Sequence, residues 1–379
     1  MKKLALFACA AFASGLMLMQ SAQASVPVDR SRLKPMFITL PARGITANML
    51  RAQARAAVPE TIPFFTSKVT SPVDGNTYEF HILGTDPTTS KVSTTVKYVP
   101  IMLRIHFPDG TVLDPTQPGC GDTVSVQQRF FGSPLFNSTP LSSNGVDVGN
   151  TQIIDAFQRA EFWQYVKGSN YHVLLAPVAQ PRLIDVAAPR GAQTTSGSCA
   201  GTAHNLGVIS INDYDVLLQK ISNKYATTKE VPVIVSYNVV LGFPDFSACC
   251  VIGYHSAYLR GRNGIQTYAN AAYVDHGIFG GDIEDIHPWT HELGELFNDP
   301  FGGNPTPAWG HVGQVQYCQN NLEVGDPLTG KPLLVNYRGF RYHPQELAFF
   351  DWFYRTPSRG TGGEYSFEGT FESAQPLCK

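Results

Sequence analysis

The sequence is poor in charged residues. Of its 379 residues 15% are charged, with 28 basic against 30 acidic side chains. That balance contains no basic surplus for binding nucleic acid or an anionic membrane. No two cysteines are spaced as CxxC, which argues against a zinc ribbon. Beyond the first residues there is no long apolar run, so insertion into a membrane is not expected.

The first 24 residues have the pattern of a secretory signal. Lys2 and Lys3 form a basic start, residues 4–18 are apolar, and Ala22-Gln23-Ala24 resembles a small-residue cleavage site. The sequence therefore predicts an exported or periplasmic chain that begins near Ser25. Without the 24 removed residues it has about 355 residues, with 26 basic against 30 acidic side chains and a formal charge of −4.

The cysteine count favours disulfides. Removal of the signal takes Cys9 with it, and an even number of cysteines in an exported protein favours disulfide bonds over metal thiolates. The sequence leaves their pairing open, although a bond between the adjacent Cys249 and Cys250 would be strained, so each is expected to pair elsewhere. The six that remain are Cys120, Cys199, Cys249, Cys250, Cys318 and Cys378.

Composition divides the remaining chain into three stretches. Residues 25–75 are predicted to be an extended lead-in, residues 76–175 a β-rich N-terminal region, and residues 176–379 a metal-binding region. Position alone supports a further hypothesis, that residues 25–60 are a removable pro-segment.

Apolar periodicity predicts the individual elements. Strands are expected at 78–83, 92–99, 101–107, 233–241 and 265–274, with a hairpin turn at Pro108-Asp109-Gly110. Helices are expected at 150–166, capped by Asn150, and at 213–225. The glycine-rich segment 277–281 then leads into a third helix, which carries the most informative motif.

That motif is His291-Glu292-Leu293-Gly294-Glu295, an HExxE pattern. Residues four apart share one face of a helix, so His291 and Glu295 can bind one metal ion. Glu292 then lies where a general base would act on a metal-activated water. The arrangement is that of a zinc-hydrolase helix in which the second histidine of HExxH is replaced by glutamate.

A catalytic metal usually needs a third ligand from another part of the chain. Glu323 and Asp326 are the favoured candidates because they belong to a separate turn, while Asp299 and His311 are weaker ones. One imidazole with carboxylates makes a harder site than three histidines. Zinc is still ranked first, with Mn²⁺ and Ca²⁺ less favoured.

Two further features are predicted for catalysis. His255 and Tyr268 are weak candidates for stabilising an oxyanion. Strand 265–274 precedes the metal helix and is the candidate sheet edge to which an extended substrate would add.

The segment 291–300, together with Pro307-Ala308-Trp309 and Glu323-Val324-Gly325-Asp326, resembles a zincin-like group of exported proteins. That group includes the plant phosphate-induced (exordium-like) proteins and uncharacterised secreted bacterial metallopeptidase-like proteins. The upstream Cys249-Cys250-Val251-Ile252-Gly253-Tyr254-His255 element is similar as well. The resemblance covers roughly residues 230–330, and it implies a zincin-like site with His291, Glu292 and Glu295 in the matching positions.

The sequence thus predicts an α+β fold: a zincin-like metal-helix region with a β-rich N-terminal portion. The leading function is metal-dependent hydrolysis of a peptide or protein substrate. The alternative is a non-catalytic exported or cell-surface protein with a structural metal site. A third hypothesis is metal-independent action on carbohydrate by Glu292 and Glu295.

Overall fold

A computed structural model of the chain describes residues 34–57, 59–199, 202–243, 249–262, 264–279 and 283–378. The protein is a mixed α/β structure with more strand (38%) than helix (20%). The predicted mixture of elements and the abundance of strands are therefore confirmed. The predicted signal in residues 1–24 and Gly280-Gly281 of the glycine-rich segment lie outside the described residues.

Helices and strands alternate along the chain. The helices are α1 Ala47–Arg55, α2 Val126–Phe131, α3 Ile153–Glu161, α4 Trp163–Val166, α5 Ile211–Tyr225, α6 His287–Asn298 and α7 Phe350–Tyr354. The strands are β1 Met36–Phe37, β2 Phe64–Thr70, β3 Thr77–Leu83, β4 Thr94–His106, β5 Val112–Leu113, β6 Thr139–Ser143, β7 Val146–Thr151, β8 Val173–Pro177, β9 Arg182–Ala187, β10 Gln193–Thr195, β11 Ser198–Cys199, β12 Thr202–Ala203, β13 Leu206–Ser210, β14 Val231–Tyr237, β15 Val239–Gly242, β16 Cys249–Arg260, β17 Gly264–Tyr273, β18 Pro305–Val312, β19 Val315–Asn321, β20 Val335–Tyr337 and β21 Phe340–Tyr342.

One mixed sheet organises the protein. Within the described residues it has 11 strands, and its main path is β10-β13-β15-β16-β17-β14-β4-β5. Strand β14 is parallel to both β4 and β17, whereas β16 is antiparallel to β17. The sheet joins β4, from the predicted region 76–175, to β14 and β17, from the predicted region 176–379. Both predicted regions therefore contribute to the same sheet.

Helices cover both faces of this sheet. Val233 and Val235 of β14 belong to the core on the side of α3 and α6, while Ile234 belongs to the core on the side of α5. Because both faces are covered, this strand is an uninterrupted apolar run rather than an alternating one. Helix α6 packs directly against β16 and β17, so the HExxE motif lies on a buried helix beside two central strands.

Most predicted strands and helices are present, with informative differences. The predicted strands 92–99 and 101–107 form the single strand β4, because Pro100 lies opposite the gap between β8 and β9, where no partner requires its missing N–H. The run 233–241 is split into β14 and β15 at Asn238, which has a positive φ of 50°. The turn at 108–110 does connect a hairpin, β4 to β5.

The predicted helix cap and lead-in were partly wrong. The helix expected at 150–166 begins only at Ile153, and Asn150 belongs instead to β7, paired with Pro140. In the lead-in 25–75, residues 47–55 form helix α1, capped by the side chain of Thr46. The helix expected at 213–225 is present as α5.

The predicted substrate edge was also wrong. Strand β17 forms as expected, but it lies inside the sheet between β16 and β14. The pairing of Gly253 shows which strand is nearer an edge, since it faces Ala271 of β17 on one side and Phe37 of β1 on the other. Strand β15 pairs with β16 only at Cys249 and Val251. Among the described residues, the side of β16 opposite β17 is therefore, beyond Val251, an edge that only the N-terminal segment occupies.

Disulfide bonds are present, but one pairing differs from expectation. Cys120 is bonded to Cys199 and Cys318 to Cys378. Cys249 is bonded to Cys250, against the prediction that each would pair elsewhere. The reason is that the other four cysteines are already paired with one another. These bonds are compatible with an extracellular protein, and none of the helices in the described part of the chain has the length and apolar character to cross a membrane.

Both ends of α6 are held by hydrogen bonds. Pro288 occupies its first turn, where the missing N–H costs no hydrogen bond. Just before it, the backbone N–H and Nδ1 of His343 donate to Asp285 at 3.1 and 2.9 Å, and Nδ1 lies 2.9 Å from Glu284. At the other end the N–H of Asp299 caps the helix by donating to Glu295. These contacts fix the position of the HExxE motif relative to the sheet.

The pairing of His343 predicts a pH-dependent stability. Hydrogen bonds to Asp285 and Glu284 raise the pKa of His343 to about 10. A raised pKa in the folded state stabilises the protein below the ordinary histidine pKa, and this stabilisation is lost as the pH rises toward 10. We expect His343→Gln to lower the free energy of unfolding by about 1 kcal/mol at pH 6, with the deficit shrinking by pH 9.5. Urea unfolding at both pH values measures it, and a deficit that does not change with pH would contradict this account.

Candidate metal centre

The ring of His291 is held in one tautomer. The side-chain Nε2 of Gln345 donates to the carbonyl of Gly325 at 2.6 Å, which leaves its Oε1 facing Nδ1 of His291 at 3.1 Å. An amide oxygen can only accept a hydrogen bond, so Nδ1 carries the proton. In the neutral ring the other nitrogen, Nε2, therefore presents a lone pair.

That lone pair faces two carboxyl groups. Nε2 of His291 lies 3.0 Å from Oε1 of Glu295 and 3.5 Å from Oδ1 of Asp326. Among the described residues Nε2 has no hydrogen-bond partner, although it is fully buried. One ligand atom from each of these residues lies within 4.8 Å of the other two. Acceptor atoms that converge in this way repel one another unless a cation lies among them, so the three residues fit a metal ion.

The two carboxyl groups are held by neighbouring donors. The backbone N–H of Gly325 donates to Oε1 of Glu295 at 3.1 Å. The carboxyl of Asp326 accepts from Gln319 at 3.2 Å and from Gln314, both of which belong to the β18–β19 hairpin region. The centre is therefore assembled from α6 and from the turn that follows this hairpin.

Two glycines permit the close approach of these elements. A Cβ on Gly325 would lie 2.5 Å from the His291 ring, and a Cβ on Gly253 would lie 2.7 Å from Cγ of Glu292. Real Cβ atoms do not approach so closely, so any side chain at either position would push α6 away from the turn or from β16. Gly325 in the Glu-x-Gly-Asp turn thus has a steric role.

Glu292 lies beside the trio and is held by His255. Nε2 of His255 donates to the carbonyl of Asp299 at 3.0 Å, so its Nδ1 can only accept, and the protonated carboxyl of Glu292 donates to it through Oε2 at 3.2 Å. Burial lowers the pKa of His255 to about 4, which keeps the ring neutral. The second carboxyl oxygen of Glu292, Oε1, is buried and has no hydrogen-bond partner among the described residues. Glu292 therefore has one oriented oxygen and one unused oxygen.

Glu323 contacts the centre through Glu295. It accepts from Nδ2 of Asn321 at 2.6 Å and shares a hydrogen bond with Glu295. A hydrogen bond between two carboxyl groups requires that one of them is protonated. In this arrangement Glu323 contacts a proposed ligand, whereas Asp326 faces His291 directly.

The carboxyl cluster has an unusual electrostatic environment. Burial, together with repulsion between neighbouring carboxylates, raises the pKa of Glu292, Glu295 and Glu323 well above the ordinary value. Burial also raises the pKa of Asp299 to about 7. Within the described part of the chain, no lysine or arginine forms an ion pair with any of the three glutamates or with Asp326. A divalent cation would supply the missing positive charge.

The structure brings most of the predicted site residues together and separates others from them. His291, Glu292, Glu295, Glu323 and Asp326 all lie in the centre. Outside it, His311 is exposed, and Tyr268 faces the α5 side, where its hydroxyl donates to Asp215. His255 is adjacent to Glu292, but its N–H is already used, so it does not provide the predicted oxyanion contact. Asp299 acts as the helix cap and accepts from the backbone N–H of Asn304 at 2.7 Å.

Several contributing residues had no sequence signal. Gln345 sets the tautomer of His291, and Gln314 contacts Asp326, yet an isolated glutamine carries no motif. Phe37 stacks on the ring of His291, with centroids 3.5 Å apart and planes inclined by 11°. The register of β1 on β16 places it there, and that register depends on the folded sheet.

A second group of potential ligands lies at the start of α6. Glu284, Asp285 and His343 also bring three ligand atoms within 4.8 Å of one another. Here the histidine donates to the carboxylates, and its raised pKa makes it a cation. The cationic His343 offsets part of the carboxylate charge, and His276 also contacts Glu284, unlike the centre around His291.

Comparisons with known proteins found no relatives. No protein-family model matches the chain, and no similar sequence among curated proteins and no similar solved structure was found.

The steric role of Gly325 can be tested by adding one methyl group. Gly325 has an ordinary helical φ of −83°, so Gly325→Ala introduces no backbone strain and tests only the contact with His291. We expect a loss of about 1–3 kcal/mol in the free energy of unfolding, measured by urea denaturation. Gly303→Ala is the matched control because nothing lies within 4 Å of its added Cβ, and its expected change is about 0.5 kcal/mol or less. Equal effects of the two substitutions would contradict the close approach.

Proposed function

We propose that the chain is an exported metal-dependent hydrolase, most simply a zinc metallopeptidase-like protein that acts on peptide bonds. The observation that carries this proposal is the convergence of Nε2 of His291 with the carboxyl oxygens of Glu295 and Asp326 inside a buried cluster of carboxyl groups. Beside it, Glu292 offers an unused carboxyl oxygen. Three ligands and an adjacent base are the minimal set for metal-assisted hydrolysis.

Each residue then has a distinct role. His291, Glu295 and Asp326 would hold the ion, which supplies a Lewis acid that polarises a carbonyl and acidifies water. Glu292, once ionised beside the bound cation, would accept a proton from water through Oε1 and return it to the leaving group. His255 is a positioning residue that fixes the other oxygen of Glu292 at 3.2 Å. Glu323 shares a proton with Glu295 and so adjusts the charge of that ligand.

The ligand set favours zinc first. A neutral imidazole on a helix beside a candidate base suits zinc, whereas the two carboxylates make the site harder and leave Mn²⁺ or Ca²⁺ as less favoured occupants. The resemblance of residues 291–300 and 323–326 to zincin-like, exordium-like proteins supports the same proposal. Export rests on the pattern of residues 1–24, and the disulfides are compatible with it.

One observation favours the alternative, a non-catalytic exported protein with a structural metal site. The side chains of His291, Glu292, Glu295 and Glu323 are almost completely buried. A structural site is closed, while a catalytic site keeps a position open to substrate. The two functions therefore differ in whether a substrate can reach the metal ligands.

Metal content tests the centre itself. We expect about one zinc per chain, in line with a three-ligand site, in purified wild-type protein supplied with zinc and analysed by elemental mass spectrometry. Glu295→Gln removes a ligand charge at nearly constant volume and should abolish retention of the metal. Glu292→Gln is the matched control on the same helix, and it should retain zinc while losing any hydrolysis of an unstructured protein such as casein. Wild-type protein that retains no transition metal would end the proposal.

The carboxyl cluster predicts how the metal-free protein responds to pH. Glu292, Glu295 and Glu323 have raised pKa values, so the folded state holds their protons more tightly than the unfolded state does. Stability without metal should therefore be greatest near pH 4.5 or below and fall as the pH rises to 8. Glu295→Gln should reduce this fall and be about 1 kcal/mol more stable than wild type at pH 8 without metal. Thermal unfolding in a chelator measures it, and a variant less stable than wild type under those conditions would contradict the electrostatic account.

A further inference from the structure

Residues 34–43 run along the edge of β16 and pair with it at Met36–Phe37 and at Arg43. Met36 pairs in parallel with Val251, Phe37 with Gly253, and Arg43 with Tyr258 further along. The N–H of Cys250 donates to Lys34 at 3.0 Å, and Arg43 exchanges two backbone hydrogen bonds of 3.0 Å with Ala257 and Leu259. On this side of β16, opposite β17, the N-terminal segment is the backbone neighbour along residues 253–259.

The same segment also covers the ring of His291. The ring of Phe37 lies flat on His291 with centroids 3.5 Å apart, and its side chain is only 3% exposed. Phe37 reaches this position because it pairs with Gly253, the residue whose missing side chain leaves space for Glu292. The ring thus stands between His291 and the edge of the sheet.

Gln314 binds the backbone of this segment as a strand would. Its Oε1 accepts from the N–H of Phe37 at 2.8 Å, and its Nε2 donates to the carbonyl of Phe37 at 3.0 Å. The same Nε2 contacts Asp326. One amide side chain therefore links a proposed metal ligand to both backbone groups of one extended residue, a contact that any peptide in the same conformation can make.

These contacts form a groove for an extended peptide. One wall is the backbone of β16, the other is Gln314, and the floor is the His291 ring. Recognition through backbone groups at a sheet edge, with a pocket for one side chain, is a recurring way of binding extended peptides. We propose that this groove is the peptide-binding site of the protein, and that residues 34–43 are its built-in occupant, which holds the metal centre closed. The peptide groove stands on this geometry alone, while its link to hydrolysis rests on the proposed function.

The attachment of the segment is suited to displacement. Apart from Phe37, its described residues are partly or fully exposed. It is followed by an exposed joint at Gly44, where φ is +73°, and then by the largely exposed helix α1. Phe37 belongs to the apolar cluster that includes Leu206 and Ile252, and Met36, Ile38 and Leu40 are half-buried against the core on the α5 side. Phe37 is the one fully buried side chain among them, so its removal tests how firmly the segment is attached.

A cleavable joint tests the proposal. The recognition sequence of a specific endoprotease is inserted between Gly44 and Ile45 of the full chain, and cut and uncut proteins are compared after gel filtration. The cut protein should release the N-terminal fragment and bind a fluorescent peptide of residues 34–43, followed by anisotropy. The same peptide with Phe37→Ala is the matched control, and its affinity should be lower by a factor of about ten or more.

Access to the centre is the second measurement. Loss of bound zinc to a chelator should be about tenfold faster or more in the cut protein, and the added peptide should restore the slow rate. If the fragment stays bound, Phe37→Ala in the cut chain should release it. A fragment that remains bound even then, or a cut protein that neither binds the peptide nor exchanges zinc faster, would overturn the proposal. If no form binds zinc but the cut protein binds the peptide, the groove stands and the hydrolase proposal fails.

Discussion

The structure depends on bringing several buried carboxyl groups against one imidazole. Glu295 and Asp326 face Nε2 of His291, and the carboxyl groups of Glu292 and Glu323 lie close to that of Glu295. Such a cluster is unfavourable in a low-dielectric interior unless donors or a cation compensate it. Around it the chain places helix α6 fixed at both ends, a glycine turn without side-chain bulk, and amide side chains from two other loops.

The same geometry links the metal centre to the sheet. Gly253 of β16 leaves room for Glu292, and its backbone pairs with Phe37 on the open side of the strand. The sheet edge and the candidate ligands are therefore adjacent. This explains why the N-terminal segment, which pairs with β16, also covers His291. It also reconciles a closed centre with a hydrolytic function, because the cover is a short, partly exposed strand.

The two competing functions differ in whether residues 34–43 stay packed over His291. A structural metal site requires that the cover remains packed, whereas a hydrolase requires that an extended chain replaces it. Residues 34–43 contact β16 and Gln314 through hydrogen bonds of their own backbone, and these bonds would be equally available to another extended peptide. Specificity would then come from the side chain that occupies the position of Phe37 over the ring of His291.

The sequence by itself determined the features that depend on local spacing. His291 and Glu295 share a face because four residues make about one helical turn, and Glu323 with Asp326 belongs to a recognisable glycine turn. The strands were found from their apolar runs. Only the tertiary structure decided the tautomer of His291, through Gln345, and the identity of the edge strand as β16. It also decided that Phe37 covers the centre, 254 residues before His291 in the chain. These features depend on strand order and on contacts between residues far apart in the chain, and local periodicity contains no information about either.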